Sequence, residues 1–387
     1  MQINQIYELV NATTSEITGE TNLINEDLSN VVDVGKTIQN LDDWQNKFVN
    51  ALVDRIGKTV FVDRPYSGSA PSVMMDSWEF GSILMKISSE MPEAVENETW
   101  ELTDGASYDP FVYKANQAEA KFFNGMVTFE IDKSIIDRQL RSSFQNATQL
   151  NSFISMIFNE IDKSMTLKND ALIMRTINSM IGDTFYDLSS AGTYTGTTGN
   201  RAVNLLYMYN QKFSKNLVAT SAITDGDFLR FASFTMGLYP ARLARMSRLF
   251  NVGGKNRFTP STALHTILLS EFKEAAGVYL YEAANQFNSE YLKLPNAETV
   301  PFWQGSGLTY AFTDTSKINV KTGSGNTVDA SGILGVMFDR DALGVCNQDS
   351  RVTTAYNAKA EFTNYFYKRD ARFFNDLNEN FVVFYVA

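Results

Sequence analysis

One histidine, His265, and one cysteine, Cys346, are the residues through which most conventional catalysis in this 387-residue chain would have to run. A Ser-His-Asp or Cys-His mechanism would depend on His265 alone. A structural zinc site takes about four Cys/His ligands and a disulfide takes two cysteines. Neither is available within one chain. His265 stands between apolar neighbours in Ala263-Leu264-His265-Thr266-Ile267, with no G-x-S-x-G elbow or catalytic-cysteine signature nearby. It reads as a structural histidine, and Cys346, after Gly344-Val345, as a small buried apolar side chain.

Other residue types invite chemistry and then lose it on spacing. Gly35-Lys36-Thr37 and Gly57-Lys58-Thr59 suggest phosphate loops, which need another glycine five residues before the Gly-Lys pair. Those positions hold Asn30 and Leu52. Carboxylates are plentiful and a glycosidase needs only two, but no motif nominates a pair. Asp339-Arg340-Asp341 follows the apolar run at 333–338 and reads as a solvated turn at a strand end, not a metal site. Arg242, Arg245, Arg248, Lys255 and Arg257 form one basic run with no acid between Arg242 and Arg257. On a helix, Arg242, Arg245 and Arg248 share a face, read here as an inter-subunit or solvated ion-pair surface. The C-terminal aromatics have only Lys359, Lys368, Arg369 and Arg372 beside them, which favours a sheet core over base stacking. We assign no catalytic residue, cofactor or metal.

The elements that carry these residues belong to an acidic, aromatic-rich chain. Acids outnumber bases 44 to 33, the net charge is −11, and aromatics make up 13%. That balance argues against tight nucleic-acid binding, which phosphate neutralisation drives. Eight prolines in the whole chain favour long uninterrupted elements. At ~100–200 residues per domain, two or three domains are expected, or one interwoven fold. Residues 1–20 have no basic start and no apolar run of signal-peptide length. No stretch approaches the ~18 apolar residues of a membrane span. The single cysteine is consistent with a reducing compartment. The expectation is a soluble chain made in the cytoplasm.

Residues 1–58 read as an extended arm ending in a short amphipathic helix, with Trp44, Phe48, Leu52 and Ile56 four apart. Strands are expected at 59–63 and 82–88. Asn124-Gly125, between β-prone runs at 111–123 and 126–131, predicts a hairpin whose two central residues take φ > 0. Helical spacing follows at 133–146. No Gly or Pro interrupts 126–181, and Leu150, Ile154, Ile157, Ile161, Met165, Leu172, Ile173, Ile177 and Met180 form an apolar stripe. A helix over 148–181, about 50 Å long, is expected, with Asn146 as N-cap, Gln149 at the capping-box position and Gly182 as stop. The competing reading is two packed helices with a break near Lys168-Asn169-Asp170. A loop at 189–200 marks a boundary. Beyond it, 225–250 is predicted helical with a restart at Tyr239-Pro240. Helical and strand signals mix at 260–292, turns dominate 323–335, and short strands are expected at 352–367, 371–376 and 381–386.

This order of elements resembles the major capsid proteins of tailed bacteriophages, a fold shared with herpesvirus capsid floors and bacterial encapsulin shells. Residues 48–57 (FVNALVDRIG) look like the end of a family arm, and 123–131 (FNGMVTFEI) like the returning strand of the extended loop. The helix at 148–181 looks like the family's spine helix. Residues 332–344 (GILGVMFDRDALG), with 351–367 and 381–386, are similar to its closing strands. The arm and hairpin are closest to those of small, short-tailed phages.

The resemblance implies an α+β fold with an N-terminal arm (1–58), an extended β-hairpin loop (105–132), a peripheral domain (59–104, 133–200 and 350–387) and an axial domain (201–349). It implies self-assembly into hexamers and pentamers of an icosahedral shell around double-stranded DNA that is contacted only weakly. No long, highly charged N-terminal segment of fused-scaffold type is seen, so the resemblance implies either a separate scaffolding protein or none, with portal and decoration proteins as further candidate partners. The expected interface residues are Trp44, Phe48, Leu52, Phe111, Tyr113, Phe122, Phe123, Asn124, Gly125, Arg242, Arg245 and Arg248. Lys114 and Lys121 fall where some relatives crosslink their subunits, but nothing around them singles either out. An encapsulin-like shell and a carboxylate-based hydrolase are the alternatives. Particle formation and packaged DNA discriminate among the three.

Overall fold

The computed structural model describes residues 66–75, 83–94, 96, 104–105, 111, 113, 115, 117–136, 147–189, 194–284, 292–304, 309–323 and 325–387, with side chains except at 147–154 and 279–284. Contacts divide the chain into two units, Met1–Arg64 with Thr148–Met156, and Pro65–Ala147 with Ile157–Ala387. The packing described below is that of the second. Trp44, Phe48, Leu52, both Gly-Lys-Thr triplets, the strand expected at 59–63, and Asn146 lie outside the described residues.

In chain order the elements are β1 (Leu84–Ser89), β2 (Ala118–Phe123), β3 (Met126–Ile136), α1 (Ala147–Leu188), β4 (Ala202–Asn204), α2 (Leu205–Phe213), α3 (Ala219–Ala222), α4 (Gly226–Leu243), β5 (Leu264–Leu269), α5 (Ser270–Ala284), β6 (Ala297–Val300), α6 (Phe312–Thr315), β7 (Ile318–Lys321), β8 (Thr327–Ala330), β9 (Ile333–Asp339), β10 (Leu343–Asn357), β11 (Phe362–Asn375) and β12 (Phe381–Tyr385). The core is built on a five-stranded mixed sheet in the order β4-β12-β9-β5-β6. Every residue of β9 and β12 is buried. That is why they appear in sequence as unbroken apolar runs instead of alternating ones. The same core takes in Ile177, Met180 and Phe185 of α1, Tyr209 of α2, Phe228 and Met236 of α4, and Phe272 of α5. Each such burial is worth roughly 1.5–3 kcal/mol.

The long helix runs further than its sequence signals suggest. Gly182, the expected stop, lies inside α1, and so does the Lys168-Asn169-Asp170 patch. A Cβ at Gly182 would lie 2.6 Å from Val320 Cγ2, so this glycine serves the close approach of β7. Asp170 accepts hydrogen bonds from the Ser69 amide at 2.9 Å and the Tyr66 hydroxyl at 3.0 Å. The polar patch is therefore a docking point for the 66–69 segment, not a break. Of the predicted stripe, Ile161, Met165, Leu172, Ile173, Ile177 and Met180 are buried.

Asp225 caps α4, accepting from the Phe228 amide at 2.7 Å. The helix continues through Pro240 with no restart and ends at Leu243. Pro240 has no amide to offer the Met236 carbonyl, so the helix gives up that one bond three residues before its end. Arg245 and Arg248 consequently lie beyond the helix, and the helical face expected for Arg242, Arg245 and Arg248 does not form, although all three are exposed.

The hairpin expected at Asn124-Gly125 is also corrected. β2 pairs antiparallel with β1, from Leu84↔Phe123 to Ser89↔Ala118, whereas β3 pairs with β11, from Met126↔Arg372 to Ile136↔Phe362. Neither Asn124 nor Gly125 has positive φ. A Cβ at Gly125 would stand 2.5 Å from the Phe373 carbonyl oxygen, so the glycine is there for close backbone approach. The helical spacing read at 133–146 gives way at Lys133–Ile136, which complete the ladder to Phe362–Tyr365. At the C-terminus the short strands merge into the long antiparallel pair β10–β11. Their turn is signalled by Asn357, whose side chain accepts from the amides of Lys359 and Ala360.

Candidate assembly interface

The pleat turns alternate residues of 83–89 to opposite sides of the β1–β2 ladder. Leu84, Lys86 and Ser88 of β1, with Lys121 and Phe123 of β2, are partly buried. Ile83, Met85 and Ile87, with Ala118, Ala120 and Phe122, are exposed. Met85 lies opposite Phe122 and Ile87 opposite Ala120. Ile87 is 66% and Phe122 64% solvent-exposed. A two-stranded ladder thus presents one continuous apolar face to solvent, a surface that a folded chain ordinarily covers.

The inner face is held by charge. Lys86 and Lys121 are register partners, and both reach Asp376, a carboxylate only 3% exposed. Lys121 Nζ lies 3.1 Å from Oδ1 and Lys86 Nζ 3.4 Å from Oδ2. The Asn378 amide donates to Oδ1 at 3.1 Å. Lys86 also donates to the Asp341 carbonyl and sits 4.8 Å from the centroid of the Phe374 ring. Phe123 packs on that same ring at 5.4 Å. A buried carboxylate is tolerated when paired and hydrogen-bonded in this way. Farther along β2, Glu119 meets Lys255 at 2.8 Å, and the Lys255 ammonium holds the Glu119 carboxyl below its ordinary range.

Behind the clamp lies a second polar layer. Asp339 is buried, not solvated as its Asp-Arg-Asp context suggested. It accepts from the Thr259 hydroxyl at 2.6 Å and from the Asp341 amide at 2.9 Å. Asn380 donates to the Thr259 oxygen at 3.1 Å. These bonds satisfy a strand end that would otherwise be polar and dry. Glu379 lies 3.1 Å from Arg257, yet burial, the larger effect, pushes its carboxyl pKa up. His265 is half-buried and stacks on Phe338 at 5.9 Å; burial lowers its pKa. Cys346 is buried.

The interface residues named from sequence are placed unevenly. Phe111 and Tyr113 are 88% and 87% exposed and Phe122 lies on the open apolar face, but Phe123 is turned inward. Asn124 is exposed and Gly125 is packed against Phe373. Arg242 lies 5.1 Å from the Tyr239 ring, and Arg248 Nε donates to Asn256 at 3.1 Å. Lys86, Met85, Ile87 and Asp376 were not singled out from sequence: Ile83-Leu84-Met85 is an unbroken apolar run, so no alternation of polarity marks the open face. Lys121, weighed as a crosslinking residue, is a partner of Asp376. Among the described residues, no group of His, Cys, Asp and Glu could hold a metal ion, and no helix is long and apolar enough to cross a membrane.

The ladder thus holds an exposed apolar row on one side and is fastened to the core by ion pairs on the other. The family model for Phi29-like phage major capsid protein matches residues 10–385. In solved structures, the chain is similar to one from the capsid structure of Staphylococcus phage Andhra, with 8% identity, 85% of this chain and 87% of that chain covered, and a TM-score of 0.56. It is also similar to a chain from the structure of head fiber and inner core protein gp22 of native bacteriophage P68, with 8% identity, 85% and 87% covered, and a TM-score of 0.51. At these identities the likeness is one of fold. No match is found among curated proteins.

Proposed function

We propose, on the premise that this chain belongs to the Phi29-like phage major capsid protein family, that the apolar face of the β1–β2 ladder is the surface through which one subunit covers the next. The protein is a structural subunit of a phage capsid shell; it self-assembles and resides in the virion. In our reading the extended loop is the stretch carried between the legs of the ladder, within 84–123. This replaces the 105–132 expected from sequence, because β3 belongs with β11. The arm at 1–58 reaches another subunit, the axial segment 201–349 gathers around local symmetry axes, and 133–200 and 350–387 form the body of the peripheral domain. Copies group as hexamers and pentamers of an icosahedral shell assembled in the host cytoplasm around double-stranded DNA. A net charge of −11 keeps contact with that DNA weak. A separate scaffolding protein, a portal and decoration proteins complete the set of partners.

The observation that carries this reading is the open row Met85, Ile87 and Phe122, held on a ladder whose other face is fastened to the core through Asp376. The test is negative-stain microscopy of M85S/I87S/F122S beside the wild type. Folded subunits that no longer close shells are expected. Closed shells indistinguishable from wild type would remove this face from the interface. Wild-type protein that stays monomeric under every salt and scaffold condition would overturn shell assembly by this chain itself.

A further inference from the structure

α4 is apolar on two sides. Phe228, Leu229, Ala232, Met236, Tyr239 and Leu243 are buried in the core. A second row, Phe234, Leu238 and Ala241 at spacings of four and three, is exposed to solvent. Phe234 is 62% and Leu238 36% exposed. No charged residue interrupts the stretch from Phe231 to Ala241. The outer face of a surface helix is ordinarily polar, and a helix apolar all round is ordinarily covered. A Cβ at Gly237 would meet nothing within 4 Å, which opens a notch beside Leu238. Phe213, half-exposed at the end of α2, widens the strip, its ring 6.0 Å from that of Phe231. Cations bound the row at both ends. Arg230 stands at one end, and Arg242 and, just past the helix, Arg245 at the other, all exposed. Asp227, the one acid of α4, is already met by Arg230 at 3.2 Å and Lys215 at 3.5 Å. Arg242 lies against the Tyr239 ring, and among the described residues neither Arg242 nor Arg245 forms an ion pair. From Phe228 to Ser270 the chain carries six Lys and Arg residues and no acid, in a molecule of net charge −11.

We propose that the outer face of α4 binds an acidic amphipathic helix of a partner protein, its apolar stripe on Phe234, Leu238 and Ala241 and its carboxylates on Arg230, Arg242 and Arg245. The span from Arg230 to Arg242 is about 18 Å at ~1.5 Å per residue, three to four turns of such a helix. Charge decides the occupant. A second copy of α4 laid antiparallel, with Phe234 opposite Leu238, would set Arg230 opposite Arg242, and laid parallel it would set each arginine against itself. Nucleic acid would satisfy the arginines but leave the apolar row without a counterpart. An acidic helix answers both, the apolar row supplying contact area and the cations fixing orientation. This surface is separate from the ladder face, and the inference does not rest on the shell-subunit reading.

The test is fluorescence anisotropy on soluble full-length protein with a labelled synthetic helix of about 18 residues, leucines along one face and glutamates flanking them. The helix should bind, and about 1 M salt, which screens charges within roughly 3 Å, should weaken it. F234S/L238S, changed only at exposed positions, should unfold at the wild-type temperature and bind at least about tenfold more weakly. R242Q/R245Q should bind more weakly at low salt and lose most of the salt dependence. Equal binding of the same helix with lysines for glutamates, or of a scrambled sequence, would overturn the proposal. So would wild-type affinity in either variant. A wild-type dimer in sedimentation that F234S/L238S dissolves would assign the face to a second copy. So would purified F234S/L238S that closes no shells where the wild type closes them unaided. Because the binding assay uses soluble subunits, a wild type that forms no shells ends the reading above without touching this one.

Discussion

The ammonium of Lys121 lies 3.1 Å from the carboxylate of Asp376, joining β2 to the turn after β11 across 255 residues of sequence. Lys86 completes the clamp from the neighbouring strand. The orientation of the ladder, and with it the direction of its apolar face, depends on this buried acid.

The clamp is asymmetric in energy. In K86M/K121M the carboxylate stays buried without its cations, a loss of about 3–5 kcal/mol. In D376N the lysines, which remain partly exposed, can turn to water, and the loss is about 1–3 kcal/mol. Denaturant unfolding of soluble subunits at neutral pH should give that order. Equal losses, or the reverse order, would mean that Asp376 does not need its partners.

Gly125 offers a separate test of how β2 passes into β3. Gly125→Ala drives a methyl group toward the Phe373 carbonyl and should cost about 1–3 kcal/mol. Asn124→Ala, at an exposed position outside any turn hydrogen bond, should stay within ~0.5 kcal/mol. A tight hairpin turn would make both substitutions costly, and thermal unfolding of the pair distinguishes the two geometries.

Two carboxylates should respond to pH with opposite signs. Burial raises the pKa of Glu379, so the native state holds this proton more tightly than the unfolded chain, and its contribution improves as pH falls through the raised value. Glu379→Gln should therefore raise the unfolding temperature at pH 7, with the gain fading as pH falls from the raised value toward the ordinary glutamate range and gone below it. Asp370 is held low by hydrogen bonds from Arg351 and Thr128. It stabilises above the ordinary aspartate range, and the benefit disappears as pH falls through the depressed value. Asp370→Asn should lower the unfolding temperature at pH 7 and match the wild type in strong acid. A lower unfolding temperature for Glu379→Gln at pH 7 would contradict the dominance of burial.

The contrast between legible and illegible features has a physical basis. β12 and the apolar run 333–338 of β9 stand out because burial on both faces admits few polar residues, although turns were expected up to 335, and the α1 stripe because one face must stay apolar over many turns. Gly182 and Pro240 misled because local propensity, about 1 kcal/mol for glycine and 3 for proline, is smaller than the packing that keeps these helices going. The partner of β3 was hidden because Met126 pairs with Arg372, a relationship that no local pattern encodes. Lys86 and Lys121 were hidden for a related reason. A lysine in a strand looks solvated until a distant buried acid is found opposite it.

β4 joins the central sheet only through β12, with Ala202 paired to Val383 and Asn204 to Tyr385. β12, which links β4 to β9, is therefore made long after the strand it anchors. At ~5–20 residues per second, roughly 10–40 s of synthesis separates the two. Until residues 381–385 have been synthesised, β4 has no sheet to join and β9 lacks the neighbour on one of its edges. The central sheet, and any surface mounted on it, is therefore completed only once this late strand has been made.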